Sequence, residues 1–433
     1  MQAIGGKGVG GTALRRGHFL LLYAAMLVAA AGNTAVQSVM PAIGRAMAIP
    51  DLVVAVAYTV SAVLWVWLAP AWARAADRHG RKALTLVGIG GFVLSTLLCG
   101  LALEAGLLGW VSGLTAFALF GIARAVYGAM GSATPSATQA YLASRTRRSG
   151  RVAALSALAS SFGLGTVLGP AMAPLFVLPW VGLTGPFFGF ALIGIVVLVA
   201  VWRWLPDDTR PRRGRRAGHG AAMSYPSLAT PPTGASIVAA TAPRGGARMR
   251  WSDPRIRRWI VAGVAAGHAQ AAVLTYLGFL VIDRLGLQPL GSEGPVAIVL
   301  MAGAIATLAA QWGMIPRLAL APRTLILAGA AIAAAGFVAL ALATDLYGLV
   351  LGFALASFGF GLTRPGFTAG ASLAVPLAEQ GPIAGIITAA NGISYVAAPT
   401  LTMLLYLVHP DLPSWLCAAG LVVLAAWSWR RLG

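Results

Sequence analysis

Arg124 and Arg364 are permanently charged side chains that lie deep within long apolar stretches of the sequence. A cation at the centre of a bilayer costs at least about 2.5 to 3.5 kcal/mol on the insertion scale, so both side chains are expected to face a polar cavity. A guanidinium group in such a cavity can bind a carboxylate or another anion through paired hydrogen bonds. The alternative is a structural role, in which each arginine ties neighbouring helices together through backbone carbonyls.

His268 is the only one of the five histidines that lies deep within an apolar stretch. An imidazole can change its charge near neutral pH, whereas the pKa of arginine stays above about 12. The eleven acidic residues all lie in predicted loops or near the ends of predicted helices. We therefore predict His268 as the group that binds a proton within the apolar region. The alternative is a histidine that hydrogen-bonds Gln270 or Thr275 in a packed interior.

Other polar side chains share these apolar stretches. Asn33 and Gln37 are four residues apart, so they lie one turn apart on the same face of a helix. Cys99 and Cys417 lie singly in apolar segments, so neither a metal site nor another cofactor site is expected. The predicted cavity residues are Asn33, Gln37, Arg124, Tyr127, His268, Gln270, Tyr276 and Arg364.

The elements that must position these residues are membrane helices. The 433-residue chain is 58% hydrophobic and 10% charged, whereas soluble domains contain about 25% charged residues. We predict an all-α, polytopic membrane protein with twelve transmembrane helices, because each apolar run can cross about 30 Å of hydrocarbon. The predicted spans are 18–41, 53–71, 83–103, 111–142, 152–177, 182–205, 256–282, 295–315, 324–344, 347–375, 382–408 and 412–429.

The loop charges give an orientation for these spans. Cations next to membrane helices favour the cytoplasmic side, and nearly all of them fall in alternate loops, so both termini are predicted to be cytoplasmic. The net charge of +20 is explained by these loops, and nucleic-acid binding is not expected. The cations on the predicted cytoplasmic side outside the long central loop are Lys7, Arg15, Arg16, Arg74, Arg78, Arg81, Lys82, Arg145, Arg147, Arg148, Arg151, Arg317, Arg323, Arg430 and Arg431.

A polar, basic segment divides the predicted helices into two groups of six. It is rich in Pro, Gly, Ser, Thr and Arg and cannot bury a core, so we expect it to be disordered and cytoplasmic, as an inert linker or one that contacts anionic lipid. Short matches in the same order in both groups, such as Phe120 to Arg124 with Phe360 to Arg364, indicate two pseudo-symmetric bundles. The predicted division is an N-terminal tail 1–17, a bundle 18–205, the linker 206–251 and a bundle 252–433.

The charged stretch between spans 2 and 3 resembles the signature loop of the major facilitator superfamily, Gly-x-x-x-Asp-Arg-x-Gly-Arg-Arg/Lys. Ala73 stands in place of the first glycine. The resemblance implies a conformational latch, in which the aspartate stabilises the N-terminus of helix 11 in the outward-facing state; a carboxylate there contributes about 0.3 to 1 kcal/mol. The alternative is a loop that only sets topology. The matching residues are Asp77, Arg78, Gly80, Arg81 and Lys82.

Two further stretches resemble one branch of that family. Gly165-x-x-x-Gly169-Pro170 in span 5 is similar to the motif of drug/proton antiporters, although the same spacing also occurs in ordinary membrane helix packing. Tyr127 takes the glutamine position of the Arg-x-x-Gln-Gly signature of proton-coupled members. The end of span 4 looks like that of tetracycline exporters, but Ser144 replaces their aspartate.

The resemblance implies a transporter of a bacterial inner membrane, not an enzyme, that exports a small organic compound by proton antiport. Two arginines and no acidic residue in the membrane interior favour a neutral or anionic substrate. The expected partners are this substrate, the proton and the bilayer, with a monomeric chain. The alternative within the fold is an importer or exchanger of an organic anion or siderophore. A lipid-modifying enzyme would need an intramembrane carboxylate, a histidine cluster or a nucleophile with its base, and the predicted spans contain none of these.

Overall fold

The described residues of the chain are helical throughout, apart from short turns. The computed structural model describes residues 16–145, 158, 161, 163–207, 250–318, 320–375 and 380–432, and no β-strand occurs among them. The helices are α1 (Arg16–Ala46), α2 (Asp51–His79), α3 (Arg81–Leu107), α4 (Gly113–Val126, continued by Ala133–Arg145), α5 (Gly163–Phe176), α6 (Gly185–Trp204), α7 (Pro254–Leu285), α8 (Glu293–Leu318), α9 (Pro322–Leu342), α10 (Leu346–Leu373), α11 (Gln380–Val408) and α12 (Leu412–Arg431).

These twelve helices correspond one to one with the predicted spans. Within the described part of the chain, nine are long and apolar enough to cross a membrane, and α2, α5 and α11 each contain a shorter apolar segment. Large apolar side chains such as Trp67, Ile122 and Val423 are more than half exposed, as expected for a surface that faces lipid. The predicted all-α membrane fold is confirmed.

The helices pack as two groups in the order of the chain. In the first group α3 packs on α4 and α6, and α1 packs on α6; in the second, α9 packs on α10 and α12, and α7 packs on α11. The groups meet where α1 contacts α7 and α8 and where α2 contacts α11. A space bounded by α1, α2, α7 and α8 can therefore be reached from both groups.

Helix α5 lies directly against α1 through its two spaced glycines. A Cβ atom added at Gly165 would lie 2.7 Å from the carbonyl oxygen of Leu27, and Thr34 Oγ1 lies 3.4 Å from the carbonyl oxygen of Gly165. The second group repeats this contact, because Ser394 Oγ of α11 lies 3.4 Å from the carbonyl oxygen of Val264 in α7. The close helix approach expected from the glycine spacing is present, and so is its counterpart in the other bundle.

The charged stretch between the second and third spans, predicted as a tight loop, is helical on both sides of Gly80. Helix α2 continues to His79 and α3 begins at Arg81, so the connection is the single residue Gly80. Charged residues do not end a helix once it leaves the hydrocarbon, because their side chains reach water there. Lys82 Nζ of α3 forms an ion pair of 3.0 Å with Asp207 Oδ1, which follows α6.

Gly80 supplies the conformation on which this turn depends. Its φ of 94° and ψ of 146° lie in a region that side chains other than glycine rarely adopt. We expect Gly80→Ala to destabilise the protein by about 1 to 3 kcal/mol, measured as a fall in the detergent-solubilised melting temperature. The control is Gly121→Ala, since Gly121 is helical and has open space at its Cβ position. Equal melting temperatures of the two variants would contradict this role.

Several predicted features lie outside the described residues. The linker is described only at its ends, in 206–207 and 250–251, and 376–379 before α11 are likewise not described. The side chains of Asp77 and Arg78, and those at the start of α11 that the latch would contact, are also outside the description. The latch therefore stays a prediction. Helix α7 begins at Pro254, two residues before the predicted span, and the Asp253 side chain caps it by accepting a hydrogen bond from the backbone N–H of Arg255 at 3.0 Å.

Candidate functional site

A cavity lies between the two helix groups, near the C-terminal ends of α1 and α7 and the N-terminal end of α2. It encloses about 990 Å³, its open mouth included, which is at the upper end for sites that hold small organic molecules. Its first wall comes from α1, α2 and α4, and carries Gln37, Tyr58, Thr59, Arg124 and Tyr127. This wall therefore holds most of the polar groups that reach the cavity.

The opposite wall comes from the second helix group and is almost entirely apolar. Leu274 and Phe279 of α7 face the cavity with Val296 and Leu300 of α8. Thr275 is the one hydroxyl among the described residues of this wall, and its Oγ1 already donates to the carbonyl oxygen of Ala271 at 2.8 Å. The described part of the second wall thus offers contact area but no free side-chain donor.

Arg124 is held in the first wall by aromatic rings and an amide. Its guanidinium carbon lies 4.7 Å from the centre of the Tyr127 ring and 5.2 Å from that of Tyr58. One terminal nitrogen donates to Asn33 Oδ1. Cation–π contacts of this kind contribute about 0.5 to 2 kcal/mol each. Arg124, Asn33 and Tyr127, predicted as cavity residues, are therefore assembled into one unit, with Asn33 directly behind the arginine.

Four polar atoms in this corner are buried without a hydrogen-bond partner. They are Gln37 Oε1, Tyr58 OH, Thr59 Oγ1 and Arg124 Nε. Buried polar atoms are nearly always paired, because an unpaired one costs about 1 to 3 kcal/mol. Their clustering at the surface of one cavity is the pattern expected where a ligand supplies the missing partners.

A widened helical turn in α4 follows the arginine. Tyr127–Gly131 form a π-helical turn, which accommodates one residue more than an α-helical turn. The backbone of this turn packs directly against the backbone of α2, since a Cβ atom on Gly128 would lie 2.7 Å from Ser61 Cα. This close approach brings Tyr58 and Thr59 of α2 next to Arg124.

A second, smaller cavity of about 570 Å³ adjoins the first and shares Leu274 and Leu300 with it. Pro170 of the α5 motif and Gln270 of α7 line it together with Thr34. Gln270 was predicted as a cavity residue and does line one. The two cavities together extend the space between the helix groups towards α5 and α10.

An ionic cluster lies one helical turn beyond one end of the larger cavity. Arg45 binds Asp51 through two hydrogen bonds of 2.7 and 2.6 Å, and it binds Asp283 of α7 with a nitrogen–oxygen distance of 3.0 Å. Tyr406 of α11 donates a hydrogen bond of 2.5 Å to Asp283. Each charged residue lies one turn beyond a residue that lines the cavity, such as Phe279 four positions before Asp283. The outer cluster, as we name Arg45, Asp51, Asp283 and Tyr406, therefore joins the two helix groups.

Four predicted cavity residues line neither cavity, and one of them, Asn33, lies behind Arg124. Tyr276 is fully buried against α12, with its hydroxyl 2.7 Å from Ser414 Oγ. His268 Nδ1 lies 2.9 Å from the carbonyl oxygen of Val264, one turn back on its own helix, and neither Gln270 nor Thr275 is its partner as the structural alternative supposed. Arg364 is on the α10 face that includes Phe360, which lines the smaller cavity, but lies one turn further along. These four are therefore not among the described residues that line the cavities.

Tyr58 and Thr59 were missed because the second span contains no charged residue, and a polar pair in an apolar run is a weak signal. The charged members of the outer cluster were visible in the sequence. Arg45, Asp51 and Asp283 could be recognised only as loop charges, since nothing in their spacing shows that they meet.

Comparison with known proteins identifies the fold. The family model of the Major Facilitator Superfamily matches residues 22–431. The chain belongs to the Major Facilitator Superfamily. The cavity between two helix bundles is thus the cavity of a Major Facilitator Superfamily transporter, and the chain is a multi-pass membrane protein that handles a small molecule.

Solved transporter structures share this architecture at low sequence identity. The human organic anion transporter MFSD10 is 16% identical, with a TM-score of 0.63 over 95% of this chain and 99% of that one. The nucleoside transporter NupG, in a mutant form, is 10% identical, with a TM-score of 0.71 over 96% and 100% of the two chains. The xylose transporter XylE from E. coli, in a partially occluded inward-open conformation, is 14% identical, with a TM-score of 0.65 over 96% and 97%. No curated protein sequence matches the chain significantly. At these identities the likeness describes the fold alone.

Proposed function

We propose that this Major Facilitator Superfamily protein exports a small organic compound from the bacterial cytoplasm by alternating access, in exchange for protons. The supporting observation is the cavity lined by both helix groups, which the outer cluster joins one turn beyond one of its ends. With both termini in the cytoplasm, as the loop charges favour, that end faces outward. A carrier needs such a site that opens to one side at a time, with the two bundles rocking around it.

Export is favoured by the resemblance of the α5 motif to that of drug/proton antiporters. Gly165 and Gly169 place α5 directly on α1, next to the first wall of the cavity. The runner-up is an importer or exchanger of an organic anion, which Arg124 in the cavity favours. One solved structure of similar fold, MFSD10, is itself described as an organic anion transporter.

Membrane vesicles of opposite orientation distinguish the two directions. An exporter driven by proton entry accumulates substrate in inverted vesicles that acidify their interior, and an uncoupler abolishes this accumulation. A panel of anionic, neutral and cationic compounds is tested, with vesicles that lack the protein as the control. Accumulation only in right-side-out vesicles would replace export by uptake.

His268 stays a candidate for the coupling group although it lies outside the cavities. We expect His268→Gln to lose uphill, proton-driven transport in liposomes and to retain downhill exchange, because a glutamine cannot bind and release a proton. The control is His409→Gln, since His409 is largely exposed, on the turn before α12. If His268→Gln transports uphill at the wild-type rate, the coupling group is elsewhere, and the carboxylates of the outer cluster become the next candidates.

A further inference from the structure

We infer that the transported compound carries one negatively charged head group, which binds Arg124, on an apolar body that lies against α7 and α8. This inference rests on the proposed function, since it takes the larger cavity as the transport site. It goes further by assigning each part of the compound to one wall. The chemical class is an amphipathic monoanion, such as a carboxylic acid with an aromatic or aliphatic body.

The negative charge of the head group is inferred from the burial of Arg124. Its side chain is 4% exposed, and the described part of the chain provides no carboxylate that forms an ion pair with it. Its hydrogen-bond partner, the Asn33 amide oxygen, is neutral, and the rings of Tyr58 and Tyr127 compensate the charge only in part. A buried charge is normally paired, so an anion in the cavity is the counter-ion that this arginine lacks.

The polar atoms around Arg124 suit an acid head group. Arg124 Nε, Tyr58 OH and Thr59 Oγ1 are three donors without an acceptor. An ionised carboxylate has two oxygens with about four acceptor sites and no donor, so it has enough acceptor sites for all three. A primary amide has a single acceptor oxygen with two such sites, so it would leave one of the three donors unpaired, although its nitrogen could donate to Gln37 Oε1. An ammonium group would meet the guanidinium with a charge of the same sign.

The cavity provides partners for one charged group, at one polar end of the bound compound. Arg124 is the single charged residue among the described residues that line it. Leu274, Phe279 and Leu300 on the facing wall offer no hydrogen bond, and the Thr275 hydroxyl is already bonded to its own helix. A second charge, or hydroxyls spread over the whole molecule as in a sugar, would lose water without gaining a partner.

The test uses sets of three compounds that share one apolar body and differ in the head group. We would measure binding of 4-alkylbenzoates, the matching primary amides and the matching benzylamines, with several alkyl lengths, to the full chain in nanodiscs. Each acid should bind about 10- to 100-fold more tightly than its amide, as expected for loss of a charge-assisted hydrogen bond. Arg124→Gln should remove this preference, and Arg124→Lys should keep part of it, because the positive charge remains.

The outcomes separate the anion inference from the proposed function. Amides or amines that bind as well as the acids overturn the anionic head group, as does an acid preference that survives in Arg124→Gln, or the absence of binding by every acid. If Arg124→Gln does not fold, Arg124→Lys and the wild-type comparison still decide. The same compounds are then tested for transport in liposomes. Acids that bind but are never moved support anion binding at Arg124 and overturn the proposed function, whereas amides or amines that are moved support transport and overturn the anionic head group.

Discussion

Replacing Asp283 by asparagine is expected to shift the protein towards a state in which the outer end of the cavity is open. The substitution removes the charge that ties Arg45 of the first helix group to α7 of the second, whereas Arg45 keeps its paired hydrogen bonds to Asp51 within its own group. The side chains of Arg45 and Asp283 are each about one-third exposed, so we expect the loss of their contact to cost only about 1 to 2 kcal/mol, and hence to give a 5- to 30-fold shift. The full fold-change is expected where the closed state is strongly preferred, because a population that is already largely open can rise little further.

Accessibility of the cavity to a thiol reagent measures this shift. Met40 lines the cavity and is 1% exposed, so Met40→Cys, with Cys99 and Cys417 replaced by alanine, reports on opening. A membrane-impermeant maleimide added outside should label the Asp283→Asn form about 5- to 30-fold faster than its parent. The control is Asp411→Asn, which breaks a pair with Arg284 inside the second helix group. Faster labelling of both variants alike would show a general loosening rather than release of the outer cluster.

Gly169→Val is expected to abolish folding of the transporter or to leave it severely destabilised. A Cβ atom there would meet the Thr34 hydroxyl and the backbone carbonyl of Ala31, and it would lie 2.9 Å from the backbone nitrogen of Ala35. Over-packing a core typically costs about 1 to 3 kcal/mol when side chains can adjust. Here the contacts include helix backbone, which cannot rotate away, so the cost should exceed that range.

Fluorescence-detected size-exclusion chromatography of the solubilised protein, followed by its melting temperature, gives the measurement. Gly90→Val is the control, because Gly90 is also within a helix but has no atom within 4 Å of its Cβ position. A monodisperse Gly169→Val with the stability of Gly90→Val would show that α1 and α5 can separate without consequence. In that case the glycine spacing would be no packing requirement.

The helices were predictable because their signal is local. Long apolar runs must satisfy their backbone hydrogen bonds internally, so twelve such runs give twelve helices. Their ends were predicted less well, since charged residues such as those before Gly80 extend a helix beyond the membrane. The composition of an apolar run identifies a span, but the point at which the helix leaves the hydrocarbon is set by the neighbouring helices.

The site was predictable only in part because it depends on which helix faces meet. A charge in an apolar run indicates Arg124, but the run around His268 does not show that its ring turns back to its own helix. The π-helical turn after Arg124 adds a residue to one turn of α4 and changes which side chains share a face. Tyr276 shows the same limit, since its hydroxyl is bonded to α12, which is distant in sequence.

The unequal walls of the cavity break the symmetry that the two bundles share. The contacts of α5 with α1 and of α11 with α7 relate the bundles by a pseudo-twofold axis, yet Arg124 and the donors of α2 have no counterpart among the described residues of the facing wall. A compound bound to those donors must lie to one side of that axis. When the bundles rock, the compound would stay bound to the first bundle and move with it, while the second bundle moves past the compound. Selection of the head group and selection of the size of the body would then belong to different halves of the chain and could change independently.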